Sequence, residues 1–386
     1  MNKINKFLMI GINLKNYMLS NFITSVSKQI KLFDPVINDD EIKSVVKVLK
    51  SHFWASGSGS GNVEKFEKKF NRYIGSKNSL AVNSGTAALH LALALCDIKN
   101  KQVILPSLSF VSTAHAILYN GGIPVFADID PVTLNIDSSS VAEKITNKTK
   151  VILPVHFGGL SSNLNSIQKL CRDNDLFLIE DAAHATGSLY KGKKIGTHGS
   201  AVCFSFHPVK NLAMPTGGAI SLNGKNSKKF EKSIRSLRWC GISNRKGVKY
   251  DVSTLGWNYY MNEVSAAVGL AQLKKLDRLI LIKKNIARRY NDELDVIKMP
   301  FDKNCSYHIF WIRVKRRNEF MKKMLQKGIE TGIHYAPIHK MAFYNSKKYN
   351  LPKTDSVSEE LVSIPIHANL SDSSVSKIIN YVNKFS

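Results

Sequence analysis

Residues 178–211 read LIEDAAHATGSLYKGKKIGTHGSAVCFSFHPVKN. Two short apolar runs, 176–180 and 201–204, are bounded by Gly and polar residues, the pattern of buried strands. The first ends on Glu180-Asp181, and an acid at the C-terminal end of a central strand lies where open α/β sheets place their ligands. Buried acids are rare unless paired, so Asp181 calls for a cationic partner. The second run leads into Phe204-Ser205-Phe206-His207-Pro208-Val209-Lys210-Asn211. Lys210 follows a strand in an aromatic, Pro-constrained turn instead of lying on a polar helix face. A lysine desolvated there has a lowered pKa and becomes an amine nucleophile. Alone, Asp181 reads equally as a helix cap, and Lys210 as a surface lysine. On successive strands, however, the two reach one crevice.

Outward from this stretch the chain alternates. Strand-type runs fall at 79–82, 103–105, 124–127, 151–155 and 219–222, and helical patterns at 86–95, 111–119, 138–145 and 165–171. That spacing predicts an α/β fold: a large domain with a mostly parallel central sheet flanked by helices. Upstream, Asp39-Asp40-Glu41 opens a helix and complements its dipole. A Gly/Ser loop at 56–61 separates it from a second helix at 63–73. A long helix is predicted from 261 to about 294. Beyond it, a strand at 309–314, a helix at 318–327 and a last helix at 372–384 capped by Ser371 form a smaller C-terminal α+β domain. The expected division is a basic extension over 1–31, a large domain over 32–275 and a small domain over 276–386.

Composition narrows the classes. The 386 residues are 44% hydrophobic and 22% charged, which excludes a disordered or collagen-like chain. The five cysteines are scattered without a C-x-x-C pair, which argues against a disulfide framework or a structural zinc site and fits a reducing, cytoplasmic compartment. No metal site is expected. The apolar stretch near the start is far short of the ~20 residues of a membrane span. The 55 Lys+Arg against 29 Asp+Glu give a net charge of +26. The lysines are spread along the chain without aromatic interleaving, so no nucleic acid is expected. The charge suits steering of an acidic small substrate. The densest cluster, Lys315-Arg316-Arg317, reads as a solvated face.

Two further motifs matter. In Asn83-Ser84-Gly85-Thr86-Ala87 a strand passes into a helix, and Thr86 and Ala87 present backbone N–H groups at its N-terminus, an anion site or simply a capped helix. Gly256-Trp257-Asn258-Tyr259-Tyr260 precedes the long helix and reads as packing, an interface or a site. Taken with Asp181 and Lys210, the set matches what pyridoxal 5'-phosphate (PLP) requires: a lysine, a carboxylate for the ring nitrogen, an anion site and a flat residue against the ring.

Over residues 31–386 the sequence resembles the DegT/DnrJ/EryC1/StrS family, sugar aminotransferases of PLP fold type I. The resemblance rests on NSGTAALHLAL (83–93), GGIPVFADIDPVTLNID (121–137), the 178–211 stretch, GWNYYMNEVSAAVGLAQLKKLD (256–277) and GIHYAPIHK (332–340). It implies that Lys210 is the Schiff-base lysine, Asp181 the pyridinium partner and Phe110 the ring that stacks on PLP. It further implies phosphate contacts from Thr86, Ala87 and Ser205, with His184 at the ring's hydroxyl face. Asn258 matches a residue given to the phosphate across a dimer interface, which implies a homodimer. His334, Tyr335 and His339 match a segment near the sugar-nucleotide pocket.

Thr216 before Gly217-Gly218, Cys240 and Tyr260 depart from residues common in the family and bear on substrate identity. Dehydratase relatives carry histidine in place of the lysine, whereas Lys210 is kept here, which favours transamination. The resemblance thus implies transfer of an amino group from glutamate to a keto-sugar linked to UDP, GDP or dTDP, at C4 of a 6-deoxyhexose. The alternatives are a PLP enzyme acting on a cyclic ketone such as an inosose or forming an aromatic product, and a non-catalytic basic binding or regulatory protein.

Overall fold

The computed structural model describes residues 29–344 and 349–386, so most of the 1–31 extension lies outside the described residues. The strands of the first part are β1 (Asn78–Val82), β2 (Gln102–Pro106), β3 (Ile123–Ala127), β4 (Thr149–Ile152) and β5 (Phe177–Asp181). A small hairpin, β6 (Leu189–Tyr190) and β7 (Lys193–Lys194), leads to β8 (Ala201–Ser205) and β9 (Gly218–Leu222). Seven of them form one sheet in the order β1-β9-β8-β5-β4-β2-β3. β9 runs antiparallel to both neighbours, while every other pairing is parallel. The predicted α/β architecture with a mostly parallel sheet is what the structure shows.

These strands are near-continuous apolar runs because helices cover both faces of the sheet. Helices α1 (Asp39–Ser51) and α2 (Asn62–Ile74) precede the sheet. Within it come α3 (Gly85–Ala94), α4 (Ser112–Tyr119), α5 (Ser138–Lys144) and α6 (Leu164–Asp173). α3 is buried on every side from Ala87 to Leu93, which explains why its sequence carries no polar face. After β9, α7 (Ser227–Leu237) and a hairpin of β10 (Ile242–Lys246) and β11 (Lys249–Val252) lead to the long α8 (Glu263–Glu293).

α8 joins two cores. Ala266, Leu276 and Ile280 pack with α2 and the sheet, whereas Ile286, Ala287 and Tyr290 enter a separate cluster. That cluster is built on β12 (Phe310–Arg313) paired antiparallel with β13 (Leu361–Ile364). α9 (Arg317–Gln326), α10 (Pro352–Glu360) and α11 (Asp372–Phe385) surround it, and Ser371 caps α11 through the Ser374 amide at 3.2 Å. Ile30 belongs to this core and bridges Ile329.

Several predicted edges move. The 151–155 run leaves the ladder at Ile152, and only a single bridge, Val155 to Asp181, continues it. The long helix begins at Glu263 because Asn262 is its cap, accepting from the Ser265 amide at 2.8 Å. α7, the β10–β11 hairpin, α10 and β13 are additional to the predicted elements.

Candidate active site

The β8–β9 connection holds Lys210. Phe206 is buried against Phe66 and Phe70, and its N–H donates to Gly217 O at 2.9 Å while its C=O accepts from Met214 N at 2.8 Å. These anchors fix both ends of the loop. Lys210 N donates to His207 O at 2.8 Å, and its side-chain Nζ meets His308 Nε2 at 3.2 Å. Burial brings the Lys210 pKa down to about 8, with the charge of Asp181 opposing the shift. The amine is therefore far closer to its neutral form near neutrality than a free lysine.

Asp181 ends β5, beside β8 in the sheet. It is 4% exposed. Oδ2 accepts from Thr113 Oγ1 at 2.9 Å and Oδ1 from the Ala183 amide at 3.1 Å. Burial pushes its pKa up, and these donors together with Lys210 pull it down. Among the described residues no cation pairs with it, so this carboxylate retains capacity for one. His184 lies three residues on and is buried. Its Nδ1 accepts from Gly158 N at 3.2 Å, which leaves Nε2 as the donor to Tyr335 OH at 3.0 Å. Burial holds His184 well below the usual histidine range, so the ring is neutral.

The third wall is the N-terminus of α3. Ser84 Oγ accepts from the Ala87 amide at 3.1 Å, so Ala87 is engaged by the helix cap. Gly85 allows Ser205 to come close: a Cβ at Gly85 would stand 2.8 Å from Ser205 Cβ. Ser205, at the end of β8, is thereby brought to the first turn of α3. Thr86, Ala87 and Asn258 line one cavity of about 990 Å³ together with Asn83 and Thr216. Asn258 touches this wall through its backbone, its C=O accepting from Asn83 Nδ2 at 3.2 Å, while the residue is exposed.

Phe110 is 55% exposed, its ring 5.9 Å from that of Tyr335. A large apolar ring with an open face beside a buried carboxylate is a platform for a flat ligand. Tyr335 itself stacks on His184 at 5.9 Å. His334 is largely buried, its Nδ1 3.0 Å from Ser363 Oγ, and burial takes its pKa to about 4. His339 points elsewhere, with Nδ1 2.7 Å from Ser107 Oγ and Nε2 3.1 Å from Asp355 Oδ1. The structure therefore groups Lys210, Asp181, His184, Phe110 and Tyr335, sets Thr86, Ala87 and Ser205 at the neighbouring helix end, and leaves His339 in a packing contact.

The aromatic 256–260 segment packs: Trp257 stacks on Tyr259, and His90 lies 4.4 Å from Trp257. Glu263, just after it, caps α2 by accepting from the Asn62 and Val63 amides at 2.6 and 3.2 Å. In the basic cluster, Arg316 is exposed and pairs with Glu319, a solvated contact of small energy. Among the described residues no group of three or more His, Cys, Asp or Glu could hold a metal ion, and no helix is long and apolar enough to cross a membrane.

Sequence reasoning missed Thr113, His308 and Lys283. Thr113 sits three residues after Phe110 on the same helical turn, a spacing that could have exposed it. His308 immediately precedes the apolar run of β12. Lys283 is a lysine on the buried side of α8, with its Nζ donating to Asn211 Oδ1. Periodicity alone marks that position as interior.

This arrangement agrees with the comparisons. The chain matches the DegT/DnrJ/EryC1/StrS aminotransferase family over residues 35–383 and belongs to it. The spore coat polysaccharide biosynthesis protein SpsC of Bacillus subtilis is 34% identical over 374 residues, covering 90% of this chain and 95% of that one. The fold superposes on a putative sugar aminotransferase, Spr1654, of Streptococcus pneumoniae in its PMP form. That match has a TM-score of 0.88 at 26% identity, over 92% of this chain and 97% of that one. It also superposes on Helicobacter pylori PseC, an aminotransferase involved in the biosynthesis of pseudaminic acid. There the TM-score is 0.87 at 29% identity, over 93% and 99% of the two chains. Aminotransferases of this family are PLP enzymes, and the residues present fit that group. A buried carboxylate in no ion pair with a described cation and a lysine with a lowered pKa stand at the ends of the adjacent strands β5 and β8, with an exposed aromatic ring and the N-terminus of α3 nearby.

Proposed function

We propose that this chain is a PLP-dependent aminotransferase for a nucleotide-activated keto-sugar, taking its amino group from glutamate. The observation that carries the reading is the juxtaposition of two groups at the ends of adjacent strands: Lys210, just beyond β8, with its pKa lowered to about 8, and Asp181, ending β5, buried and in no ion pair with a described cation. The curated relative and the structural neighbours, which act in polysaccharide and sugar biosynthesis, support the sugar class. The preferred substrate is a UDP-, GDP- or dTDP-linked 4-keto-6-deoxyhexose, and the product an amino sugar for a surface glycan.

In this reading PLP supplies an electron sink for the bond broken at the amino-bearing carbon. Asp181 holds the ring nitrogen protonated, and Thr113 and the Ala183 amide keep the carboxylate ionised and aimed. Phe110 would stack on the ring and His184 would stand beside its hydroxyl face, while Thr86 and Ser205 would hold the phosphate. The family resemblance adds Ala87, whose amide is taken by Ser84 Oγ and would have to exchange that partner. Lys210 would move the proton, since burial lowers its pKa to about 8 and leaves a far larger share of free amine near neutral pH than an ordinary lysine has. His334 and Tyr335 border the sugar side. His339, also assigned to that side by family resemblance, acts there only through Ser107, because its two ring nitrogens are engaged away from Lys210.

The active form in this proposal is a homodimer. The exposed side of Asn258 supports it, as do Val248, Tyr250, Val252 and Leu255, whose apolar side chains on and beside the β10–β11 hairpin stand in solvent. The test is to incubate the purified chain with PLP, glutamate and a panel of nucleotide-linked keto-sugars and inososes, with products read by mass spectrometry. Amination confined to the sugar nucleotides supports the reading; amination of inososes alone overturns the substrate class.

A further inference from the structure

Lys210 belongs to a closed ring of contacts that extends beyond the residues assigned above. Its Nζ meets His308 Nε2 at 3.2 Å. Asn211, the next residue, donates from Nδ2 to Ser306 O at 3.0 Å, and Ser306 lies two residues before His308. The ring therefore closes through Lys210, Asn211, Ser306 and His308, alternating covalent chain and hydrogen bond. Between them Tyr307 has φ 50°, a left-handed turn that brings the Ser306 carbonyl and the His308 ring to the same loop. Lys283 on α8 anchors the outside of the ring by donating to Asn211 Oδ1.

The His308 ring is itself held. It stacks on Phe33 at 5.4 Å and lies 4.5 Å from the His184 ring. Its amide donates to Gly158 O at 2.9 Å, and the Gly158 amide in turn reaches His184. Nδ1 is buried and has no hydrogen-bond partner, so Nε2 makes the ring's one side-chain hydrogen bond, and it accepts from Lys210 in the tautomer that carries its proton on Nδ1.

We propose that His308 is the resting partner of the Lys210 amine, accepting its hydrogen bond whenever the lysine is not bonded to the cofactor and so keeping Nζ within reach of the substrate carbon. The idea rests on reading Lys210 as the reactive amine. Burial, with the nearby charges of Lys210 and Lys283, keeps His308 neutral, which fits an acceptor and excludes a permanent cation at this place. Asp181 is the acid that favours the Lys210 ammonium. An amine without a fixed partner would sample several rotamers, and a proton shuttle depends on geometry held within a narrow range.

The test uses the full-length chain without added cofactor, so its outcome is independent of the sugar reading. Acylation of Lys210 by acetic anhydride is followed against pH by peptide mass spectrometry in the wild type, His308→Phe and His308→Gln. Burial opposed by the charge of Asp181 sets the wild-type midpoint at about 8, and a neutral acceptor at His308 holds the ammonium against a further fall. His308→Phe keeps the stacking but removes the acceptor. It should move the midpoint down by about one unit, a tenfold gain in free amine below it. His308→Gln restores an acceptor and should return the midpoint toward wild type. An unchanged midpoint in His308→Phe, or equal shifts in both variants, overturns the proposal. Wild-type chain with ¹⁵N-labelled histidine gives the same answer without a substitution. The His308 Nε2 resonance should follow the Lys210 titration while the ring stays neutral, and a flat response contradicts the contact.

Discussion

Thr113 Oγ1 donates to Asp181 Oδ2 over 2.9 Å, tying the first turn of α4 to the end of β5. The hydroxyl favours the ionised carboxylate against the burial that opposes it. A hydrogen bond to a charged group contributes about 1.5–3 kcal/mol. Thr113→Val keeps the shape and removes the donor, so PLP affinity should fall by about tenfold or more, while Thr113→Ser should retain it. Fluorescence titration with PLP measures both.

The glycine pair at the start of β9 sets the distance between that strand and the α3 turn. A Cβ on Gly218 would lie 2.4 Å from Ser84 O and 2.8 Å from Phe204 O, both backbone atoms. Overpacking of this kind costs about 1–3 kcal/mol. Gly218→Ala should lower the urea midpoint by a corresponding amount and weaken PLP binding through the displaced Ser84. Gly224→Ala meets open space and should disturb only its own positive φ, leaving PLP binding unchanged.

Acid should destabilise the chain before its carboxylates titrate. His334 is held at about 4, and His184 and His308 well below their usual value, all by burial. In the unfolded chain each binds a proton near 6.5, whereas the folded chain excludes it until lower pH. The unfolded state therefore holds more protons, and stability falls as pH drops from about 6.5 toward 4. Asp181, with its pKa raised, acts in the opposite sense. Thermal unfolding across that window should show the decline, and His334→Gln should reduce its slope by about one proton, ~1.4 kcal/mol per pH unit.

A buried ion pair braces the same region. Arg238 is fully buried, and its Nη1 donates to Glu67 Oε1 at 2.6 Å and to Ala81 O at 2.7 Å. Removing one partner of such a pair costs about 3–5 kcal/mol, because the other charge is left in the core. Arg238→Met should unfold at clearly lower urea, and adding Glu67→Gln should recover part of the loss.

Most of the sheet was legible because parallel strands buried on both faces appear as short apolar runs between helical periods, as 79–82 and 201–204 do. Asp181 and Lys210 were legible for the same reason, as polar residues placed where such runs end. The β10–β11 hairpin was not, since both strands are largely exposed, Ile242–Lys246 is polar after its first residue, and the alternation of Val248, Tyr250 and Val252 is too short to mark a strand by itself. β13 was missed because it begins immediately where α10 stops, with no Gly or Pro between Glu360 and Leu361. Glu41 reads in sequence as a first-turn acid. In the fold it is buried, closes a capping box with Asn38 and pairs with Lys275 at 2.8 Å. Thr113, His308 and Lys283 have partners 68 to 98 residues away, so what each touches is not encoded locally even where spacing or periodicity marks the position.

The most direct measurement is the visible absorbance of the purified chain with PLP, before and after glutamate, beside Lys210→Ala. The account predicts a band of lysine-bound PLP in the wild type, its conversion by glutamate to the spectrum of pyridoxamine phosphate, and no such band in the variant. A wild type that gains no band with PLP, or a Lys210→Ala chain with an unchanged spectrum, would contradict it.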